Sequence, residues 1–240
     1  MPSTFLTAEW RKLIMVQYAV PEALLTPYIP RGLEMDLFQN QCYVSLVGFL
    51  FDRVRVKGAA IPFHMQFEEI NLRFYVRRRE ADGSMKRGVV FVREFVPRWA
   101  IATIARLLYE EPYQAIPTRH AISSSGAGLH AEYRWKLGGR WHGLSAGSAI
   151  LRPKEIEPGS EEEFVTEHYF GYTKRSDGST SEYGVEHPRW QVYPVANFNV
   201  DADMGMLYGP EFSFLNDAPV ASVLLAEGSA VRVLGGKRLD

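Results

Sequence analysis

The feature that most constrains this chain is the stretch from Phe67 to Trp99, reading FEEINLRFYVRRREADGSMKRGVVFVREFVPRW. It reads as a β-hairpin feeding a helix. Asp82-Gly83 marks the turn, because a tight turn needs positive φ and glycine supplies it at little cost. Both arms are rich in β-branched and aromatic residues. A two-residue turn at 82–83 sets Phe74 opposite Phe91, Val76 opposite Val89, Ile70 opposite Phe95 and Leu72 opposite Arg93. Side chains alternate across a strand, so the other face pairs Glu69 with Val96, Asn71 with Glu94, Arg73 with Val92 and Tyr75 with Val90. That second face mixes charges with valines, which suggests a half-buried polar pocket. The alternative is a solvated face laced with salt bridges, since charged groups are mostly exposed. A turn of different parity would swap the faces.

The rest of the chain reads as many strands and a few short helices. Expected strands are Trp10–Val20, Leu33–Phe38, Tyr43–Val56, Ile116–Ser124, Leu129–Lys136, Arg140–Ser145 and Trp190–Asn199. Tyr43–Phe51 is apolar on both faces, as in a central strand. Pro21 opens a short helix that Pro27, Pro30 and Gly32 confine. Pro97 opens another, with Ile101, Ile104, Ala105 and Leu108 on one face and Glu110-Glu111-Pro112 at its end. Gln39-Asn40, Gly138-Gly139 and Asp177-Gly178 are turns, and Glu161–Phe164 is a short helix or turn. Long linkers and repeats are absent, so the expectation is one α+β domain over 1–240, dominated by antiparallel sheet.

Composition excludes several function classes. The chain has 240 residues, 46% hydrophobic and 23% charged, with a formal net charge of −1. No global field favours nucleic acid or an acidic membrane. The basic tip Arg77-Arg78-Arg79 is balanced by Glu80 and Asp82 and reads as a solvated hairpin end. The longest apolar run, Cys42–Phe51, is too short to span a bilayer. One cysteine, Cys42, excludes an intramolecular disulfide and fits a reducing compartment; a cytoplasmic protein is expected.

Motifs for chemistry are sparse. Gly143-Leu144-Ser145-Ala146-Gly147 matches G-x-S-x-G, but that pattern works only on a strand-to-helix turn, and no helix follows. The histidines show no metal-ligand spacing, and neither a metal nor a cofactor is expected. Glu167-His168-Tyr169 and Glu186-His187-Pro188-Arg189-Trp190 gather groups able to do acid–base work.

PEALLTPYIPRGLEMD (21–36), YVSLVGF (43–49), FEEINLRFYV (67–76) and GVVFVRE (88–94) resemble the uncharacterised YqjF-like bacterial family, as do TEHYFGYT (166–173) and HPRW (187–190). That family is distantly similar to acetoacetate decarboxylases. The resemblance implies a cone-like antiparallel β-barrel with flanking helices and an internal pocket, and a homo-oligomer. The decarboxylases carry a segment resembling R-E-x-x-G-F-P-K-K whose first lysine forms a Schiff base. Here R-E-F-V-P-R-W (93–99) keeps Arg93, Glu94 and Pro97 and sets Arg98 and Trp99 at the lysine positions. Arginine stays protonated and forms no Schiff base, so decarboxylase activity is not expected. What the resemblance leaves is a pocket for a small anionic molecule. Arg73 and Arg98 hold the anion, Asn71, Glu69, Tyr75 and Trp99 complete the ligand site, and Glu94, His168 and His187 are the acid–base candidates. Two alternatives stand beside it: a cofactor-free lyase, isomerase or hydrolase using Glu94 with a histidine, and a structural or interaction protein whose barrel is filled by its own side chains.

Overall fold

A computed structural model describes residues 3–62, 64–97 and 111–239. The strands, in chain order, are β1 (Thr4–Ala19), β2 (Glu34–Met35), β3 (Tyr43–Val56), β4 (Ala59–Ala60), β5 (Phe67–Arg79), β6 (Met85–Val96), β7 (Tyr113–Ala115), β8 (Thr118–Ser125) and β9 (Gly128–Leu137). They continue with β10 (Arg140–Ser148), β11 (Lys154–Glu155), β12 (Phe170–Lys174), β13 (Thr180–Glu186), β14 (Gln191–Tyr193), β15 (Asn197–Asp201), β16 (Ser222–Leu234) and β17 (Lys237–Leu239). Helices are short: Glu22–Leu25, Glu161–Thr166 and Met204–Tyr208, with 3-10 turns at Thr26–Tyr28 and Pro210–Asn216. The helix expected beyond Pro97 lies outside the described residues.

The larger sheet runs β16-β1-β3-β5-β6-β12-β13, and β13 pairs back onto β16 through Val185–Val233 and Glu186–Arg232, so the sheet closes into a ring. Most neighbours are antiparallel; β12 and β7 join β6 in parallel. A second sheet, β15-β10-β9-β8, covers the outside of the ring. Closure leaves few open edges on the larger sheet.

Two cores follow from the alternation of side chains. Between the sheets, Ile14, Leu46, Ile70, Leu72, Phe74 and Phe95 of the ring pack with Ala131, Tyr133, Trp135 and Leu144 of the second sheet. Inside the ring, Met15, Val47, Phe49, Phe51, Phe67, Val89 and Val96 pack with Phe164, Val165 and Trp190.

The hairpin register departs from expectation below Arg73. Ile70–Phe95, Asn71–Glu94 and Leu72–Arg93 pair as expected, but the next pairs are Arg73–Phe91, Phe74–Val90 and Tyr75–Val89. The turn spans residues 80–84, closed by the Glu80 N–H donating to the Ser84 carbonyl at 2.9 Å, with Gly83 at φ +86. That loop has the other parity. A bulge at Val92 absorbs the offset, because one extra residue on one strand inverts its alternation. Val89 and Phe91 therefore face the ring interior, and Val90 and Val92 join the core between the sheets.

Other boundaries shift modestly. The first strand begins six residues early, at Thr4, and the strand expected over 33–38 shrinks to β2. The run expected as one strand over 190–199 splits into β14 and β15, which serve different sheets. Ser145 sits mid-strand, opposite Glu132 and Asn199, and not on a turn, so G-x-S-x-G carries no nucleophile elbow.

Candidate functional site

Four inward rows cross the ring wall, each fixed by strand register. Gln17, Ser45, Arg73 and Phe91 form one; Met15, Val47, Asn71, Glu94 and Tyr113 the next; Phe49 and Glu69 a third; and Trp10, Phe51 and Phe67 the last. They enclose a cavity of about 110 Å3 that opens to solvent. Its lining brings together Glu69, Asn71, Arg73 and Glu94, joined by Glu111, Tyr113, Tyr183, His168 and His187.

The polar wall is almost wholly buried. Glu94 is 0% exposed and Arg73 8% exposed. Asn71 Nδ2 donates to Glu69 Oε1 at 2.9 Å and the Tyr113 hydroxyl donates to Glu69 Oε2 at 3.0 Å. The Tyr183 hydroxyl donates to Glu111 Oε1 at 2.5 Å. Gly171 makes room for that tyrosine, because a Cβ there would meet the Tyr183 ring at 2.1 Å. Arg73 Nη2 donates to the Val165 carbonyl at 3.2 Å. Both carboxyl oxygens of Glu94, Arg73 Nε and Asn71 Oδ1 are buried without a hydrogen-bond partner among the described residues. Buried polar atoms are nearly always paired, so four such atoms in adjacent rows leave this wall with unmet hydrogen-bonding capacity.

The electrostatics follow from burial. Burial holds Glu94 well above the usual carboxylate range, and repulsion from Glu111 and Glu69 adds to it; the Tyr113 hydroxyl and Arg73 oppose this only in part. Burial pushes Glu69 up to about 7 against the pull of Asn71, Tyr113 and Arg73. Burial likewise pushes Glu111 up to about 8, against the Tyr183 hydrogen bond. Near neutral pH the three carboxyls therefore share protons as a group, and Glu94 presents an O–H.

His168 occupies a different part of the wall. Its Nε2 lies 3.1 Å from Asp36 Oδ2, which also accepts from Arg87 Nε at 2.6 Å. Burial raises Asp36, but those two partners outweigh it and hold the carboxylate below its usual range. Burial drives His168 down to about 4, so it is neutral. His168 therefore donates its Nε2–H to Asp36 and carries a lone pair on Nδ1, which is buried and without a partner among the described residues. His187 stacks on Trp190 with ring centroids 4.4 Å apart, and burial lowers it too.

Of the residues singled out in the sequence, Glu69, Asn71, Arg73, Glu94, His168 and His187 line the cavity. Tyr75 does not: its hydroxyl pairs with Ser45 Oγ at 2.6 Å and its ring packs on Phe164 and His168. Arg98 and Trp99 lie outside the described residues. Glu111, Tyr113, Tyr183, Asp36 and Trp10 were not expected here. Glu111 reads in sequence as the end of a helix, and no local pattern marks Tyr183, which only ring closure brings to the site. Cys42 is buried and unreactive, its thiol pushed up to about 12 by burial.

The architecture is that of the acetoacetate-decarboxylase-like proteins. The enduracididine biosynthesis enzyme MppR complexed with pyruvate superposes with a TM-score of 0.64 at 13% identity, over 100% of this chain and 91% of that one. Acetoacetate decarboxylase from Legionella pneumophila gives 0.63 at 13%, over 100% and 88%. An acetoacetate decarboxylase-like enzyme from Sphingomonas wittichii RW1 gives 0.64 at 12%, over 99% and 94%. At such identities the likeness establishes the fold alone. The chain itself belongs to the DUF2071 family of uncharacterized conserved proteins, whose model matches residues 7–230. The uncharacterized protein YqjF of Bacillus subtilis (strain 168) is 23% identical over 165 residues, 68% of this chain; the match spans 65% of that protein's length. No helix among the described residues is long and apolar enough to cross a membrane.

Proposed function

We propose that this protein binds a small organic molecule in the ring cavity, through a carboxylate or carbonyl oxygen held by Arg73 and by the protonated carboxyl of Glu94. The observation that carries this reading is the set of buried, unpartnered atoms on Arg73, Asn71 and Glu94 in adjacent inward rows. A guanidinium offers directional donors to a carboxylate, and a carboxylic acid held neutral adds one more. Arg98, the second arginine expected at the site, is not needed for it. None of the seven lysines of the chain lines the cavity, so covalent capture of a carbonyl as a Schiff base is not part of the proposal. That MppR has been crystallised with pyruvate supports a small acid as the kind of ligand this fold can seat. The unfilled interior speaks against a purely structural ring packed by its own side chains. The test is thermal unfolding in the presence of millimolar acetate, pyruvate, acetoacetate and levulinate. At least one should raise the melting temperature of the wild type in a concentration-dependent way, and Arg73→Met should abolish the shift. No shift with any of them, or an equal shift in Arg73→Met, overturns the reading.

A second reading is favoured by the His168 lone pair, which Asp36 sets in one tautomer. Paired with a protonated Glu94 it makes a cofactor-free proton-transfer enzyme, the histidine accepting a proton and the carboxyl supplying one. Exchange of α-hydrogens of the bound oxo acid into deuterated water, followed by NMR, checks it. His168→Gln and Glu94→Gln should each slow the exchange at least 100-fold; exchange no faster than in buffer removes the reading. The free, buried Cys42 fits a cytoplasmic setting for either.

A further inference from the structure

The cavity has two unlike ends, and the strand register says how far apart they are. The row of Arg73 and the row of Asn71 and Glu94 are polar. Two residues further along β3 and β5, Phe49 stands beside Glu69; two further still, Trp10, Phe51 and Phe67 stand side by side on three adjacent strands. At roughly 3.3 Å per residue, the Asn71 row and the Phe67 row lie about 13 Å apart.

The far end is an aromatic enclosure. Phe51 stacks on Phe67 with centroids 4.7 Å apart and an interplanar angle of 23°. Trp10 meets Phe51 edge-on at 5.9 Å and Phe49 at 5.2 Å. Trp190 closes the group at 6.1 Å from Trp10 and carries the stacked ring of His187. All of these residues line the same cavity as the glutamates. Trp10 Nε1 is buried without a hydrogen-bond partner among the described residues, so one donor stands among the rings. Apolar rings with a single donor suit a flat, weakly polar group; edge-to-face and stacked contacts favour an aromatic ring over an alkyl chain.

We propose that the ligand is an elongated aryl-bearing acid. Its carboxylate or oxo acid head sits at Arg73 and Glu94, and its ring sits among Trp10, Phe51, Phe67 and Trp190, where an acceptor on the ring takes the Trp10 N–H. This rests on the head-group reading above and adds the tail and the distance between the two.

The experiment is isothermal titration of a ladder of acids sharing one head: acetate, phenylacetate, 4-phenylbutanoate and 6-phenylhexanoate, beside alkanoates of matching length. Affinity should rise at least tenfold from acetate to the best aryl acid, with the aryl acid ahead of its alkyl counterpart. Phe51→Leu should narrow the gap between aryl acid and acetate about tenfold. Trp10→Phe should erase the advantage of a 4-methoxyphenyl over a phenyl tail. The wild-type ladder decides the matter even if a variant folds poorly. Acetate or pyruvate binding through Arg73 with no gain along the ladder overturns the tail and leaves the head-group reading standing. Alkyl tails that gain as much as aryl tails overturn the aromatic preference. If no acid binds, both proposals fall.

Discussion

Glu68 and Glu69 are neighbours on β5 and point to opposite sides of one sheet. Glu68 lies between the two sheets, where it accepts from Thr118 Oγ1 at 2.5 Å and sits 2.5 Å from His120 Nδ1. Burial raises it, but those partners prevail and it titrates below the usual range. Glu69 and Glu94 face the ring interior and titrate above it, and Glu94 lacks even a hydrogen-bond partner among the described residues. Glu68 and Glu69 share one strand, and all three glutamates are buried. Glu68, on the side between the sheets, is complete in its contacts and serves stability. The side toward the cavity is incomplete, and that incompleteness is what a ligand can use.

The sharpest way to break this contrast is to cut into the solid side. Phe74 is fully buried between the sheets, and Phe74→Ala should cost about 3–5 kcal/mol in urea unfolding. A loss below about 1 kcal/mol would mean that this core is not the stabilising one. Next comes acid. His168 titrates near 4 instead of its usual 6.5, so its contribution is complete above pH 6.5 and is lost as pH falls through 4. The full effect is about 3 kcal/mol at roughly 1.4 kcal/mol per unit. His168→Gln should flatten that limb. An unchanged limb would show that other groups govern acid unfolding.

The carboxyls test the contrast directly, because the two sides should answer with opposite signs. Glu68→Gln should lose about 1–3 kcal/mol at neutral pH, since it removes a buried charge that has partners. Glu94→Gln should gain a similar amount at pH 8.5. Burial and repulsion from Glu111 and Glu69 raise Glu94 well above its usual range, so its contribution to stability is complete below about 4.5 and declines as pH rises, and glutamine removes that decline. Equal signs in the two variants would refute the comparison. The smallest effect is expected at the hairpin tip, which both sides share. Gly83→Ala places a Cβ at φ +86 with open space around it and should cost about 1 kcal/mol, with ligand binding unaltered.

Much of this arrangement was legible in the chain. Alternation along β5 separated Ile70, Leu72 and Phe74 from Glu69, Asn71 and Arg73, and the mixture of charges with apolar residues on the second set pointed to a cavity. The resemblance to a known family supplied the ring. What escaped were features set by closure and by loop parity. Asp82-Gly83 suggests a two-residue turn, yet the loop takes one residue more and Val92 restores the phase two residues before the strand meets β7. Glu111, Tyr183 and Asp36 reach the site from strands and loops far away in sequence, and no local periodicity encodes such a meeting. Tyr75 shares a face with Arg73, but its bond to Ser45 keeps it behind the wall, a distinction that alternation alone does not make.

The bulge at Val92 also sets how this fold can diversify. Along β5 the odd positions 69, 71 and 73 speak to the cavity, while the even positions hold the sheets together. Along β6 the cavity is addressed by 89, 91 and 94, because the extra residue advances the count by one. Alternate codons on a single hairpin therefore carry separable tasks, and substitutions at these six sites can retune what the cavity accepts while leaving the scaffold's own contacts in place. A descendant that lost Val92 would keep every pairing of the hairpin, with Phe91 and Glu94 still turned inward and now two positions apart, so the same cavity face would stand on a straight strand.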